Sequence, residues 1–186
     1  SNVSYEISFI ARVPSLGYRV YYIESDKASQ KNEIKSDDFK ITSNTIENQY
    51  YKIELKENGQ MNLLDKSTGI LHEDTCFFED VGDWGDEYDY SGPNENQKDL
   101  KFTSQNLIMK EISPLIDGPS IKTLHLKMAL NLPVSLTPNR NKRSETLIEN
   151  KIDVFISLYK EINRIDFKIK IENKSKDHRI RILFPS

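Results

Sequence analysis

The 186 residues hold 37% hydrophobic and 30% charged side chains, which is enough apolar material for one domain of ordinary size with a substantial core. A net charge of -3, with acids and bases mixed along the whole length, excludes the concentrated basic face that nucleic acid requires. No apolar run approaches the ~20 residues that span a bilayer, and the first residues lack the basic-then-apolar order of a secretory signal, so a soluble protein with no membrane partner is expected.

Read in chain order, Tyr5–Val13 and Tyr18–Glu24 flank a turn at Pro14-Ser15-Leu16-Gly17 and predict an N-terminal hairpin. Ser25–Asp38 are charged and polar without apolar periodicity. The chain therefore divides into a lead-in hairpin of a small β-domain over 1–25, a linker or loop over 26–38, and a main domain over 39–186. Tyr50–Lys56 and Met61–Asp65 surround Glu57-Asn58-Gly59-Gln60, where Asn-Gly supplies the positive φ values of a tight hairpin turn. Cys76, the single cysteine, cannot form an internal disulfide; beside Phe77 and Phe78 it reads as a core thiol in a buried strand, from a reducing and hence cytoplasmic compartment.

Further on, Leu124, Leu126, Met128, Leu130 and Leu132 alternate with mostly polar neighbours, including His125. Arg140, Lys142 and Arg143, close to Pro133 and Pro138, form a basic cluster that reads as a solvated loop tip between strands. Ile152, Val154, Ile156 and Leu158, then Ile165, Phe167, Ile169 and Ile171, repeat the period of two, and Lys160–Asn163 is short enough to close a hairpin between them. Nowhere do apolar residues recur at helical spacing over ten positions. An all-β fold follows, an antiparallel β-sandwich of two stacked sheets with little or no helix.

One stretch fits neither strand nor helix: Gly82-Asp83-Trp84-Gly85-Asp86-Glu87-Tyr88-Asp89-Tyr90-Ser91-Gly92-Pro93. Carboxylates accept hydrogen bonds from hydroxyls, aromatic rings cover the apolar faces of a pyranose, and glycines allow tight turns, so this composition suits a sugar-facing loop. The window Glu79–Asp89 holds six acids, yet Asp80, Asp83, Asp86 and Asp89 recur every third residue rather than every second, as a compact calcium loop needs. His72, His125 and His178 lack paired zinc spacing. A glycosidase pair would need two carboxylates about 5 to 9.5 Å apart, one of them protonated, and an exposed acidic loop supplies no burial to raise one pKa. The residues read as a binding or contributing surface rather than a complete active site.

Four stretches in order, Val13–Tyr18, Glu47–Ile53 with Asn58-Gly59 and Leu64–Gly69, Gly82–Ser91, and Glu172–Pro185, resemble the region after the catalytic domain in α-mannosidases of glycoside hydrolase family 38, especially the branch with mannosylglycerate hydrolases. The resemblance implies a portion of a galactose-mutarotase-like supersandwich within a zinc-dependent retaining exo-glycosidase acting on α-linked mannose. It also implies that the zinc ligands and the aspartate nucleophile belong to an N-terminal α/β domain that this chain does not contain. No metal ligand or catalytic acid is then assigned here; the fragment alone is expected to be inactive and, with an apolar face or strand edge uncovered, able to self-associate. Its partners would be that catalytic domain and a mannoside substrate, toward which the family directs an aromatic residue from this region. Tyr88 is the match, with Asp86 and Tyr90 as neighbours, whereas Asp177, His178 and Arg179 read as a structural charged turn held by local ion pairs. The alternatives are an independent carbohydrate-binding module on Trp84, Tyr88 and Tyr90, or a scaffold domain.

Overall fold

A computed structural model describes residue 7, residues 9–23 and residues 38–184. Its centre is a four-stranded antiparallel sheet in the order β11-β10-β9-β8, formed by β8 (Leu107–Asp117), β9 (Ile121–Pro133), β10 (Leu147–Tyr159) and β11 (Ile165–Glu172). Register places Leu124 opposite Ile156, Leu126 opposite Val154 and Met128 opposite Ile152. Side chains alternate across a strand, so these pairs share one fully buried face. The other face is polar: Thr123 and Ser157 hydroxyls meet at 2.8 Å, and His125 stacks on Phe155 while bonding Asp153 at 2.6 Å.

Against that core lies a five-stranded sheet in the order β1-β2-β3-β4-β5: β1 (Lys40–Ile41), β2 (Thr45–Glu47), β3 (Tyr51–Leu55), β4 (Met61–Asp65) and β5 (Ile70–Thr75). Ile46, Ile53, Leu55 and Met61 pack into the same core as the leucines of β9. The β3–β4 turn differs from the Asn-Gly expectation. Only Gly59 has positive φ (79°), and the Gly59 N–H bonds Lys56 O while the Lys56 N–H bonds Gln60 O. That is a three-residue loop with a glycine bulge rather than a two-residue turn, and Met128 Sδ would lie 2.6 Å from a Cβ at Gly59.

A third sheet of three strands, β12-β6-β7, completes the architecture, with β6 (Phe77–Gly82) between β7 (Phe102–Thr103) and β12 (His178–Leu183). The described residues contain no α-helix, only a 3₁₀ turn at Ser104–Asn106. The sandwich thus takes three sheets rather than two. Cys76 is buried as expected, but it occupies the bend between β5 and β6 with φ of 61° instead of a strand, and burial pushes its thiol up to about 12. In the expected N-terminal hairpin, residues 9–23 fold back at Pro14–Gly17 and bring Phe9 to 4.9 Å from Tyr21, without a strand ladder. The expected linker over 26–38 lies, apart from Asp38, outside the described residues.

Candidate functional site

The acidic-aromatic loop leaves the end of β6, the central strand of the small sheet. Two of the six acids are not in the loop. Glu79 and Asp80 belong to β6 and are buried, which corrects the reading of this window as an exposed acidic loop. Asp80 Oδ1 faces Arg143 Nη2 at 2.6 Å, off the line of a directional hydrogen bond, and Asp80 Oδ2 meets His178 Nδ1 at 2.5 Å. Nε2 of His178 faces Asn173 Oδ1 at 3.0 Å, an oxygen that also accepts the Ser175 N–H. Both ring nitrogens therefore have an oxygen partner within hydrogen-bonding distance. Asp99, 3.9 Å from Arg143, accepts the Gly82 N–H on both of its oxygens. Asp80, Asp99, the Arg143 guanidinium and the His178 ring thus form one connected cluster beneath the first residue of the loop.

Arg143 overturns the reading of the Arg140–Arg143 cluster as a solvated tip. It is 1% exposed, donates to Leu100 O and lies over the Phe102 ring. Arg140, with φ of 53°, reaches across to Trp84 O at 2.9 Å, and its own carbonyl accepts the Trp84 indole N–H at 2.7 Å. Arg140 and Lys142 both stay exposed as expected, Lys142 paired with Glu145. At the turn Asp177–Arg179, expected to be held by local contacts, His178 keeps the local contact to Asn173, but Asp177 has remote partners: its O accepts the Asp83 N–H, and its Oδ2 accepts the Leu136 N–H. The buried Asn150 carboxamide fixes the approach to that turn by accepting the Lys174 N–H at 2.7 Å.

Above this base the loop satisfies itself. Asp83 Oδ1 accepts the Gly85 and Ser91 N–H groups, and the Trp84 N–H bonds Ser91 O. Asp86 Oδ1 accepts the Tyr88 and Asp89 N–H groups at 2.9 and 3.0 Å; these two bonds, Tyr88 first, hold its carboxyl below the usual range. A Cβ at Gly85 would overlap the Asp89 carbonyl oxygen, so this fold of the tip requires glycine there. Asp86 is therefore the acceptor that shapes the tip, Tyr88 stands 85% exposed on it, and Tyr90 is 42% exposed with the Arg179 guanidinium stacked 3.4 Å from its ring centre. Asp86, Tyr88 and Tyr90 share one loop. The sequence reading did not foresee Arg143, Asp80 and Asp99, whose partners are brought together only by the sheet.

No cluster of three or more His, Cys, Asp or Glu side chains among the described residues could hold a metal ion. Nor does any helix among them have the length and apolarity to cross a membrane.

An antiparallel β-sandwich with a rigid acidic-aromatic loop is the class that fold and site define. Residues 46–186 match the model of the glycosyl hydrolases family 38 C-terminal domain, and the chain belongs to that family. A protein of Halalkalibacterium halodurans, provisionally named a mannosylglycerate hydrolase, is 24% identical over 188 residues, covering 91% of this chain and 20% of that protein. An α-mannosidase structure from Enterococcus faecalis V583 superposes with a TM-score of 0.71 at 30% identity, over 77% of this chain and 17% of that one. A second family 38 structure from Enterococcus faecalis gives a TM-score of 0.70, again at 30% identity, over 77% of this chain and 18% of that one. The chain spans about a fifth of the length of these relatives and is a domain of a larger, mannosidase-like protein.

Proposed function

We propose that this domain completes the sugar pocket of a zinc-dependent retaining α-mannosidase, lending the 82–93 loop to a catalytic domain elsewhere in the same cytoplasmic protein. In this reading the other domain supplies the metal, the nucleophile and the general acid. The present chain supplies Tyr88 as a hydrogen-bonding phenol, with Asp86 and Tyr90 shaping and flanking it. The carrying observation is the contrast within one loop: its base is locked by buried charges and its turns by its own carboxylates, yet Tyr88 at the tip is 85% exposed. Such rigidity presents a side chain to something outside the domain at little conformational cost.

A free-standing sugar platform of Trp84, Tyr88 and Tyr90 is less well supported, because Trp84 is tied to Arg140 and Tyr90 carries the Arg179 guanidinium. Tyr88→Phe in the full-length protein removes one hydrogen bond and leaves the fold alone. It is expected to lower kcat/KM toward an α-mannoside by about tenfold with an unchanged melting temperature. Unchanged kinetics would overturn the pocket role and leave a scaffold.

A further inference from the structure

Arg140 carries an exposed side chain on a strained backbone. Its φ of 53° lies in the left-handed region, where glycine or asparagine sits at lower cost, so the turn itself gives no reason for an arginine. Strain of this kind is tolerated where the side chain has a task. The side chain and carbonyl of Arg140 together clasp the 82–93 loop, 56 residues earlier in the chain. Its Nη2 donates to Trp84 O at 2.9 Å and to Gly85 O at 3.4 Å, while its own carbonyl accepts the Trp84 indole N–H at 2.7 Å and the Gln97 carboxamide N–H at 3.2 Å. Asp177, also left-handed with φ of 52°, faces Arg140 across 3.7 Å and accepts the Asp83 N–H on its carbonyl. The loop is thus gripped at Asp83, Trp84 and Gly85, and the next residue, Asp86, forms the turn that carries Tyr88. Bonds between exposed groups add little to global stability, so this clasp acts on the direction of the loop more than on the fold.

We propose that Arg140 is a positioning residue for Tyr88, fixing through Trp84 and Gly85 where the phenol points. Tyr88 stands exposed, so the backbone that carries it sets its direction, and a hydrogen bond to a reacting group tolerates only about 0.5 Å of misplacement. The planar guanidinium spans two successive carbonyls at once, which a point charge does not reproduce. The proposal rests on the pocket-facing role of the loop and adds to it the residue, from a different strand connection, that aims it.

Arg140→Asn is the variant of choice, because asparagine tolerates the left-handed backbone and so keeps the turn and its carbonyl while the guanidinium is lost. Trp84 is the single tryptophan of the chain and reports on the clasp directly. Acrylamide quenching of its fluorescence should rise by at least about twofold in Arg140→Asn and stay at the starting value in Lys142→Ala, with the melting temperature unchanged in both. Unaltered quenching in Arg140→Asn would overturn the clasp, and a lowered melting temperature would assign Arg140 to support of the fold instead.

In the full-length protein a double-mutant cycle tests the route through Tyr88. Arg140→Asn should lower kcat/KM toward an α-mannoside by about three- to tenfold when Tyr88 is present, and by less than about twofold in the Tyr88→Phe background, where no hydroxyl remains to be aimed. Equal losses in the two backgrounds, or no loss in either, would overturn the inference. The two readings fail separately: a silent Tyr88→Phe removes the pocket role, whereas an effective Tyr88→Phe whose loss simply adds to that of Arg140→Asn removes only the positioning by Arg140.

Discussion

Removing the Arg143 guanidinium leaves the buried Asp80 carboxylate with the His178 ring as its remaining side-chain partner. Breaking a buried pair from one side costs about 3–5 kcal/mol, because the surviving charge is uncompensated. Arg143→Ala is expected to show that loss in urea unfolding, with the midpoint falling at constant slope. The size of the penalty is not the net worth of the pair. A double replacement, Asp80→Leu with Arg143→Met, should cost less than Arg143→Ala alone, because the Asp80 carboxylate is no longer left buried without its guanidinium. A different outcome is expected at Lys142, whose pairing with Glu145 is solvated, so that Lys142→Ala should leave the midpoint within experimental error. Three residues of one basic cluster thus sort by what they touch: Arg143 a buried carboxylate, Arg140 the backbone of the loop, Lys142 mainly water.

The loop is an element of turns rather than strands, and its tip hangs on one carboxylate. The folded pKa of Asp86 lies below its ordinary 3.8, since the Tyr88 and Asp89 amides favour the charged form. A depressed pKa adds stability that is complete above the ordinary value and fades as pH falls through the lowered one. Tip organisation should therefore be independent of pH above about 5 and weaken only in stronger acid. In Asp86→Ala the amides of Tyr88 and Asp89 lose their acceptor, and their hydrogen-exchange protection is expected to drop by about two- to tenfold at neutral pH, with β9 and β10 unaffected. Much of this element is legible in the chain: glycines, carboxylates and tyrosines out of register announce a non-regular loop able to face a sugar. Its foundation is not legible. Strand β6 is buried on both faces between β12 and β7, so Glu79 and Asp80 read as loop acids until the pairing is known, and Arg143 in a polar, proline-flanked stretch looks solvated when its carboxylate lies far away in sequence. Local composition carries turn chemistry, whereas a buried ion pair is fixed by topology.

For the whole molecule, the period-two runs are legible because the two longest strands bury a full face, and the same logic predicts where stability is concentrated. Leu126 sits mid-strand in β9, opposite both Val154 of β10 and Ile112 of β8, and it is wholly enclosed beneath the five-stranded sheet. Ile169 belongs to the same alternating pattern, yet β11 is the edge strand of its sheet and its apolar row is only half-covered. Sequence alone gives the two residues the same rank. Truncation should separate them: Leu126→Ala loses the transfer free energy of the side chain and leaves a cavity with little room to relax, at about 2–5 kcal/mol. Ile169→Ala removes carbons that already touch water, so about half that loss or less is expected. Urea unfolding of both variants would check the ordering. Equal losses would mean that the β11 row is covered in solution, and sedimentation velocity at rising concentration would then reveal whether a second copy covers it.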